Sequence, residues 1–203
     1  MSLLMRTGTA IALAAALSGC SISSVLGGGS SKGPVTLQTL TSEAPDPGAI
    51  VRNAAAGQAI TIATPSASKE LRTVRVPVQL TPNDVQYVSN FQWIDTPDRL
   101  FQHLLEETIR RTTNRVVLNP QQSSMDPGLV VSGELERFGY DASTGQVIVT
   151  YDASLSAGNR VETRRFTASA PADGTGGSVG PALNRAANQV AQDVAKWIGS
   201  SGS

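Results

Sequence analysis

Cys20 is the only cysteine of the chain and the residue best placed for chemistry. It directly follows Ser18 and Gly19, two small residues that close a short apolar run behind one positive charge, Arg6. A charged start, a brief apolar middle and small residues before a cut are typical of a secretory signal. The apolar run is shorter than the roughly 20 residues that a helix needs to cross a bilayer. The small side chains before Cys20 would let a signal peptidase bind the chain closely next to the cysteine, whose sulfur is the nucleophile.

The segment Leu17-Ser18-Gly19-Cys20 resembles the lipobox of bacterial lipoproteins. The resemblance implies that the Cys20 thiol carries a diacylglycerol, that residues 1–19 are removed as a signal peptide, and that the new amine is acylated. Because two or more acyl chains hold a protein firmly to a bilayer, such a cysteine, palmitoylated or similarly acylated, would anchor the mature chain. Ser21 after the cysteine, in place of Asp, favours the outer membrane, with the protein facing the periplasm. A plain secretory signal that happens to contain a cysteine is the alternative.

Composition limits what the rest of the chain can bind. Its 203 residues suit one domain plus tails, and 16 Lys and Arg against 16 Asp and Glu give no formal net charge. A balanced chain lacks the basic face that nucleic acid requires. Aromatic residues make up only 4%, which leaves few rings for stacking on bases or sugars. We therefore expect no nucleic-acid partner.

Residue types that carry catalysis or bind metals are sparse. The single histidine, His103, lies within a predicted helix among charged residues, which favours a polar helix face over a catalytic base. No HExxH motif and no spaced Cys/His set could hold zinc, and the glycine runs at 27–29 and 174–177 lack the Gly-Lys-Ser/Thr of a phosphate loop. We predict no catalytic residue, metal site or cofactor. A hydrolase that uses an unrecognised pair of carboxylates stays an alternative.

Residues 20–33 are rich in Ser and Gly and predict a flexible, lipidated tether. Residues 34–199 would then form one periplasmic α+β domain, followed by a tail at 200–203. Alternation of apolar and polar residues predicts a mainly antiparallel sheet with a C-terminal meander. The predicted strands are 34–41 with Val35 and Leu37 on one side, 59–63, 73–80, 87–88, 116–118, 129–140, 146–157 and 160–168.

Two helices should pack on this sheet. Thr96 as a cap and Pro97 at the first position open a helix to about residue 114, with Glu106 and Arg110 as an exposed pair. Pro181 opens an alanine-rich helix to about residue 198. Trp93, just before the first helix, fits a core position and a partner contact equally well.

The order of several short motifs resembles the ABC-type transport auxiliary lipoproteins that accompany MCE-type lipid transporters of Gram-negative bacteria. After the anchor, that family has a Tyr-x-Leu strand, a strand that ends before a proline, a Trp followed by a Pro that opens a helix, a late strand ending in Phe, and an Ala-rich terminal helix. The matching positions are Leu37-Gln38-Thr39-Leu40, Val78-Gln79-Leu80-Thr81-Pro82, Trp93 with Pro97, Leu135-Glu136-Arg137-Phe138, and 182–198.

The resemblance implies a protein that is not an enzyme. It would serve an apparatus made of an ATPase, a permease and an MCE-domain protein, which moves phospholipid or other lipids between the inner and outer membranes. Pro82, Tyr87 and Trp93 fall in the segment that would contact this partner. The oligomeric state is open, with a homo-oligomer among the options. The alternative is another outer-membrane interaction lipoprotein, either a peptidoglycan synthase activator or a component of lipopolysaccharide assembly.

Replacing the predicted lipid attachment site should free the protein from the membrane. We expect Cys20→Ala to move the chain from the membrane fraction to the soluble fraction, because no acyl chain can then be attached. Fractionation of the envelope followed by immunoblotting measures this, with Ser23→Ala as the control. A Cys20→Ala protein that still sediments with membranes would contradict the lipid anchor.

Overall fold

Strand β6 (Leu129–Asp141) is the central strand of the fold, because every other strand pairs with it directly or through one neighbour. The structure, a computed structural model, describes residues 36–55, 57–123 and 128–201. Residues 36–203 form one compact unit. The predicted signal peptide, Cys20 and the predicted tether lie outside the described residues.

On one side, β6 begins the predicted antiparallel meander. It pairs with β7 (Gln146–Ala157), which pairs along its whole length with β8 (Arg160–Pro171). The register of β6 shifts between Leu135 and Arg137, so the alternation of the first half does not continue and Phe138 points into the core. The inward side chains of β7 are the predicted set, all buried: Val147, Val149, Tyr151, Ala153 and Leu155.

On its other side, β6 pairs with a row of short parallel strands. These are β1 (Ile60–Ile62), β2 (Ser66–Ala67) and β3 (Pro77–Thr81). Beyond them, β5 (Val117–Leu118) pairs in parallel with β1, and β4 (Asp84–Tyr87) pairs antiparallel with β3. The sheet of eight strands is therefore mixed, with long antiparallel ladders and short parallel ones.

Helices α1 (Pro97–Thr112) and α2 (Gly176–Ser201) pack against each other, α1 on β1 and β5 and α2 mainly on β7 and β8. Helix α1 begins at Pro97 with Thr96 in the N-cap position, as predicted, but the Thr96 side chain makes no capping bond and the helix ends at Thr112 rather than near residue 114. Helix α2 begins five residues before Pro181, because the Thr175 carbonyl accepts the first helical bond from the Val179 amide at 2.8 Å. The sequence did not predict this start because the first turn contains two glycines, which are poor helix formers.

The predicted exposed ion pair between Glu106 and Arg110 on α1 is wrong, because the acidic partner of Arg110 is a different residue. Glu106 is only 9% exposed and accepts a hydrogen bond from the Gln102 amide at 3.2 Å. Arg110 instead pairs with Glu107 at 2.6 Å. Sequence spacing allows both arrangements, and the packing of α1 on the sheet decides between them.

Residues 38–44, which we call the strap, lie in the groove between the two helices. Of the predicted strand at 34–41, the described residues 36–41 form one parallel bridge, between Gln38 and Trp93, and Leu37 is 47% exposed. Further along, the strap bonds alternately to the two helices. Thr41 N–H donates to Asn184 Oδ1 at 2.8 Å, whereas the Ser42 hydroxyl lies 3.2 Å from that of Thr108 on α1.

The side chain of Asn188 on α2 bonds to both a backbone N–H and a backbone carbonyl of the strap, as the backbone of a neighbouring strand would. Its Oδ1 accepts from Glu43 N–H at 2.7 Å, and its Nδ2 donates to Thr41 O at 2.8 Å. The side chain is 1% exposed, so water cannot replace these bonds. One buried amide thus fixes the segment through which the chain enters the domain.

We expect Asn188→Ala to lower the free energy of unfolding by about 1–3 kcal/mol, because it leaves backbone groups of the strap without partners. Urea denaturation measures the change. The matched control is Gln189→Ala, one residue along on the exposed face, which should alter the free energy by less than about 0.5 kcal/mol. Equal stability of the two variants would contradict the role of Asn188.

Candidate functional site

The groups that could support catalysis do not form a reactive arrangement. The His103 side chain is 71% exposed, and its Nδ1 lies 3.6 Å from Glu106 Oε2. Within the described ranges, no group of three or more His, Cys, Asp and Glu could hold a metal ion. Glu70 and Glu136 both line a depression of about 50 Å³, which has room for only a few water molecules. Nothing in this geometry selects a pair of carboxylates for hydrolysis.

Trp93 is a core residue. It is 1% exposed, and its ring makes edge contacts with Phe91 at 4.8 Å and Phe138 at 5.9 Å between ring centroids. Its side chain therefore offers almost no surface to a partner. Of the three predicted contact residues, Pro82 and Tyr87 are the ones that the fold leaves accessible.

Pro82 and Tyr87 belong to the hairpin of β3 and β4. The strands are joined by the two-residue turn Pro82-Asn83, and the Thr81 hydroxyl donates to the Asp84 carboxylate at 2.7 Å. Pro77 is the first residue of β3, a position where its missing N–H costs no ladder bond. Strand β4 pairs only with β3 among the described strands, so the hairpin forms one edge of the sheet.

The hairpin carries apolar side chains on its exposed parts. Leu80 is 39% exposed and Val85 44% exposed, and they accompany exposed Pro82 and half-buried Tyr87. We call these four residues the hairpin surface. Seven of the nine aromatic residues are buried and Tyr140 packs against the core, so Tyr87 is the aromatic ring most accessible to a partner. Tyrosines that are partly exposed are frequent anchors of protein interfaces.

Neighbouring groups fix the hairpin on the sheet. The guanidinium carbon of Arg75 lies 4.3 Å from the centre of the Tyr87 ring, which is a cation–π contact. Gly139 of β6 lies under Pro77, where an added Cβ would come within 2.5 Å of the Pro77 carbonyl oxygen. The Ala142 amide donates to Gln79 O at 2.9 Å, which ties the β6–β7 turn to β3.

Asp141 organises that turn. Its Oδ1 accepts from the Ser143 hydroxyl at 2.6 Å and from Ser143 N–H at 3.0 Å, and Arg137 donates to Oδ2 at 3.1 Å. These donors, the Ser143 hydroxyl above all, hold the pKa of the Asp141 carboxyl below its usual value. The hairpin surface therefore rests on a turn held by an ionised carboxylate.

Sequence reasoning missed two of the four residues of the hairpin surface. Leu80 lies in the predicted strand 73–80 and shares a period-2 pattern with Val74, Val76 and Val78, so the spacing does not mark it as exposed. It is exposed because β3 extends past the last paired residue of β6. Val85 follows the turn signal of Asn83 and Asp84, and its exposure depends on which face of an edge strand it occupies. No signal in the sequence alone fixes either position.

The model of the family described as "ABC-type transport auxiliary lipoprotein component" matches residues 39–195. A crystal structure of a DUF330 protein from Xanthomonas campestris aligns with a TM-score of 0.63 at 18% identity, covering 80% of this chain and 91% of that one. A crystal structure of an uncharacterized protein gives 0.62 at 13% identity, covering 80% and 99%. At these identities the similarity shows the fold alone. No curated protein matches the chain.

Neither α1 nor α2 is both long and apolar enough to cross a membrane, and the same holds for any other helix in the described part.

Stability should respond to the charge of Asp141. The pKa of Asp141 is lower in the folded protein than in the unfolded chain, where it is about 3.9. The ionised carboxylate therefore contributes its full stabilisation above the unfolded pKa, and this stabilisation is lost as the pH falls through the folded pKa. We expect Asp141→Asn to lower the melting temperature at pH 7, and the difference from the parent protein to shrink below about pH 4. Thermal denaturation between pH 7 and pH 2 measures this.

Ser143→Ala is the matched variant, because it removes the largest cause of the shift and keeps the carboxylate. Like Asp141→Asn, Ser143→Ala should make the melting temperature depend less on pH than in the parent protein. A difference between parent and Asp141→Asn that does not change with pH would show that the ionised carboxylate does not stabilise the turn.

Proposed function

The chain belongs to the family of ABC-type transport auxiliary lipoprotein components, and on this basis we propose that it is a non-catalytic accessory of an MCE-type ABC system. That system would move phospholipid or other lipids between the inner and outer membranes. The observation that carries the proposal is the family match over residues 39–195, which spans all eight strands, α1 and most of α2. Energy for transport would come from the ATPase of the system.

In this proposal, Cys20 carries the lipid that anchors the protein in the outer membrane, with the folded domain in the periplasm. Residues 1–19 would be the signal peptide and 20–33 the tether. The strap supports this arrangement, because Thr41, Ser42 and Glu43 bond to both helices and so tie the N-terminal part of the described chain to the helical layer.

The hairpin surface is the proposed contact with the MCE-domain protein or the permease. It combines exposed apolar side chains with an accessible tyrosine on a sheet edge, and an extended segment of a partner can add to such an edge. It also lies at the same end of the sheet as the start of the strap. Gln38 pairs with Trp93, which packs on Phe138 near the end of β6, where β3 pairs.

Site-specific crosslinking in cells that express the full-length protein tests the proposal. A photoreactive residue at position 82 or 85 should form adducts with the MCE-domain protein or the permease, identified by mass spectrometry. The matched position is Val161, which is 63% exposed on β8, at the opposite end of the sheet. It should give no adduct with these proteins. Adducts from positions 82 and 85 with cell-wall synthases or lipopolysaccharide-assembly proteins would favour the alternative function instead.

A charge on the hairpin surface should weaken the contact. We expect Val85→Glu to lower co-purification of the transport partner at least about tenfold, since an apolar contact would have to bury a carboxylate. Val161→Glu is the control, because it places the same charge on a valine of a different strand that is 63% exposed, against 44% for Val85. Both variants should melt like the parent protein. Unchanged co-purification with Val85→Glu would show that the partner binds elsewhere.

A further inference from the structure

A second feature, distant from the hairpin surface, is an open groove of about 360 Å³ beside the C-terminal end of α1. It is bounded by the last turns of α1, the start of β5 and the loop that follows the strap. Four arginines from three parts of the chain line it: Arg52, Arg110, Arg111 and Arg115. The chain has no formal net charge, so four cations around one groove are a local concentration of positive charge.

Two carboxylates also line the groove, and both are already engaged. Glu107 accepts from Arg110 Nη1 and from Arg111 Nε, each at 2.6 Å, and the bond from Arg111 is the main cause of its lowered pKa. Asp46 Oδ1 accepts from Gly48 N–H at 2.9 Å within its own loop. Four arginines against two carboxylates leave a net charge of +2 at the groove. The ion pairs hold Arg110 and Arg111 in place.

The remaining donors belong to Arg52 and Arg115. Arg52 uses Nη1 to bond the Arg110 carbonyl oxygen at 2.5 Å, which leaves its other guanidinium N–H groups available. No hydrogen bond or ion pair joins the Arg115 guanidinium to any residue that the structure describes, although the side chain is half-buried. A half-buried guanidinium without an anion is a donor set that favours a bound oxyanion.

The groove also has an apolar wall. Ile50, which is 39% exposed, lines the groove together with Pro47, Val116 and Val117. A basic rim beside an apolar wall matches a molecule that carries a phosphate next to a hydrocarbon chain. The volume is at the lower end of the range for small-molecule sites, enough for a head group and the first carbons of a chain.

We propose that this groove binds the phosphate of a phosphomonoester or phosphodiester, with Arg52 and Arg115 as the principal donors and Ile50 against the adjoining carbon chain. The phosphate can come from a lipid head group or from a soluble phosphate ester. The inference rests on the groove and not on the proposed function, so a groove that fails to bind leaves the docking of the hairpin surface unaffected.

Calorimetric titration of the full-length protein in a nonionic detergent tests this proposal. The probes are inorganic phosphate, glycerol 3-phosphate, dihexanoylphosphatidylglycerol, and dihexanoylglycerol as the same lipid without phosphate. The phosphate-containing probes should bind, and Arg52→Gln and Arg115→Gln should each weaken binding about tenfold, the effect of losing a hydrogen bond to a charged group. Arg160→Gln, on a side chain that is 73% exposed on β8, should bind like the parent.

The probes also distinguish the two sources of the phosphate. Tighter binding of dihexanoylphosphatidylglycerol than of glycerol 3-phosphate, with the gain lost in Ile50→Ser, identifies a lipid head group. Equal binding of the two identifies a soluble phosphate ester. The proposal is overturned if no phosphate-containing probe binds, if dihexanoylglycerol binds as tightly as its phosphate-bearing counterpart, or if both arginine variants bind like the parent while keeping its circular dichroism spectrum.

Discussion

The backbone of β6 sets the constraint on which the rest of the structure depends. Thirteen consecutive residues in the middle of a sheet present hydrogen-bonding groups on both sides, and buried groups of this kind must be paired. The meander satisfies one side with a single long partner, β7. The other side is satisfied by three short strands laid end to end, which the chain supplies between residues 60 and 79. The hairpin exists because the last of these strands extends past β6 and must turn back.

The helical layer and the strap follow from the same arrangement. With all strands in one sheet, α1 and α2 cover one face and leave a groove between them, which a third element has to fill. The strap fills it with backbone bonds to side chains of both helices, so that a segment with a strand-like sequence is held with only one bridge, between Gln38 and Trp93, in place of a strand ladder. Asn184 and Asn188, one turn apart on α2, supply the acceptors that a neighbouring strand would have supplied.

The sequence predicted the parts of this fold that depend on local pattern. The period-2 alternation of 146–157 and the capping signals of Thr96 and Pro97 are local, and β7 and α1 were placed within two residues. The strap was predicted as a strand because its alternation is real. Its partners, however, are distant in sequence: Trp93, Thr108 and, more than 140 positions away, Asn184 and Asn188, which no local pattern contains. The early start of α2 was missed because glycine is a poor helix former, and Gly180 is present there because a Cβ would come within 2.7 Å of the Phe91 ring.

The same limit applies to the candidate sites. Pro82 and Tyr87 could be named from the order of motifs, whereas the exposure of Val85 depends on the register of an edge strand. The four arginines of the groove come from positions 52 to 115 and form no motif, so only the fold brings them together.

The two surfaces lie toward opposite ends of β6. Strand β3 of the hairpin pairs with its last residues, whereas the groove residue Val117 is linked through Ile60 to its first residue, Leu129. The hairpin surface is at the end where β6 finishes and the strap begins, and the arginine groove is at the end where α1 and the strap finish. Arg111 connects the groove to the strap, because it donates to Ala44 O at 2.9 Å while it pairs with Glu107. A ligand in the groove and a partner on the hairpin would therefore not compete for space.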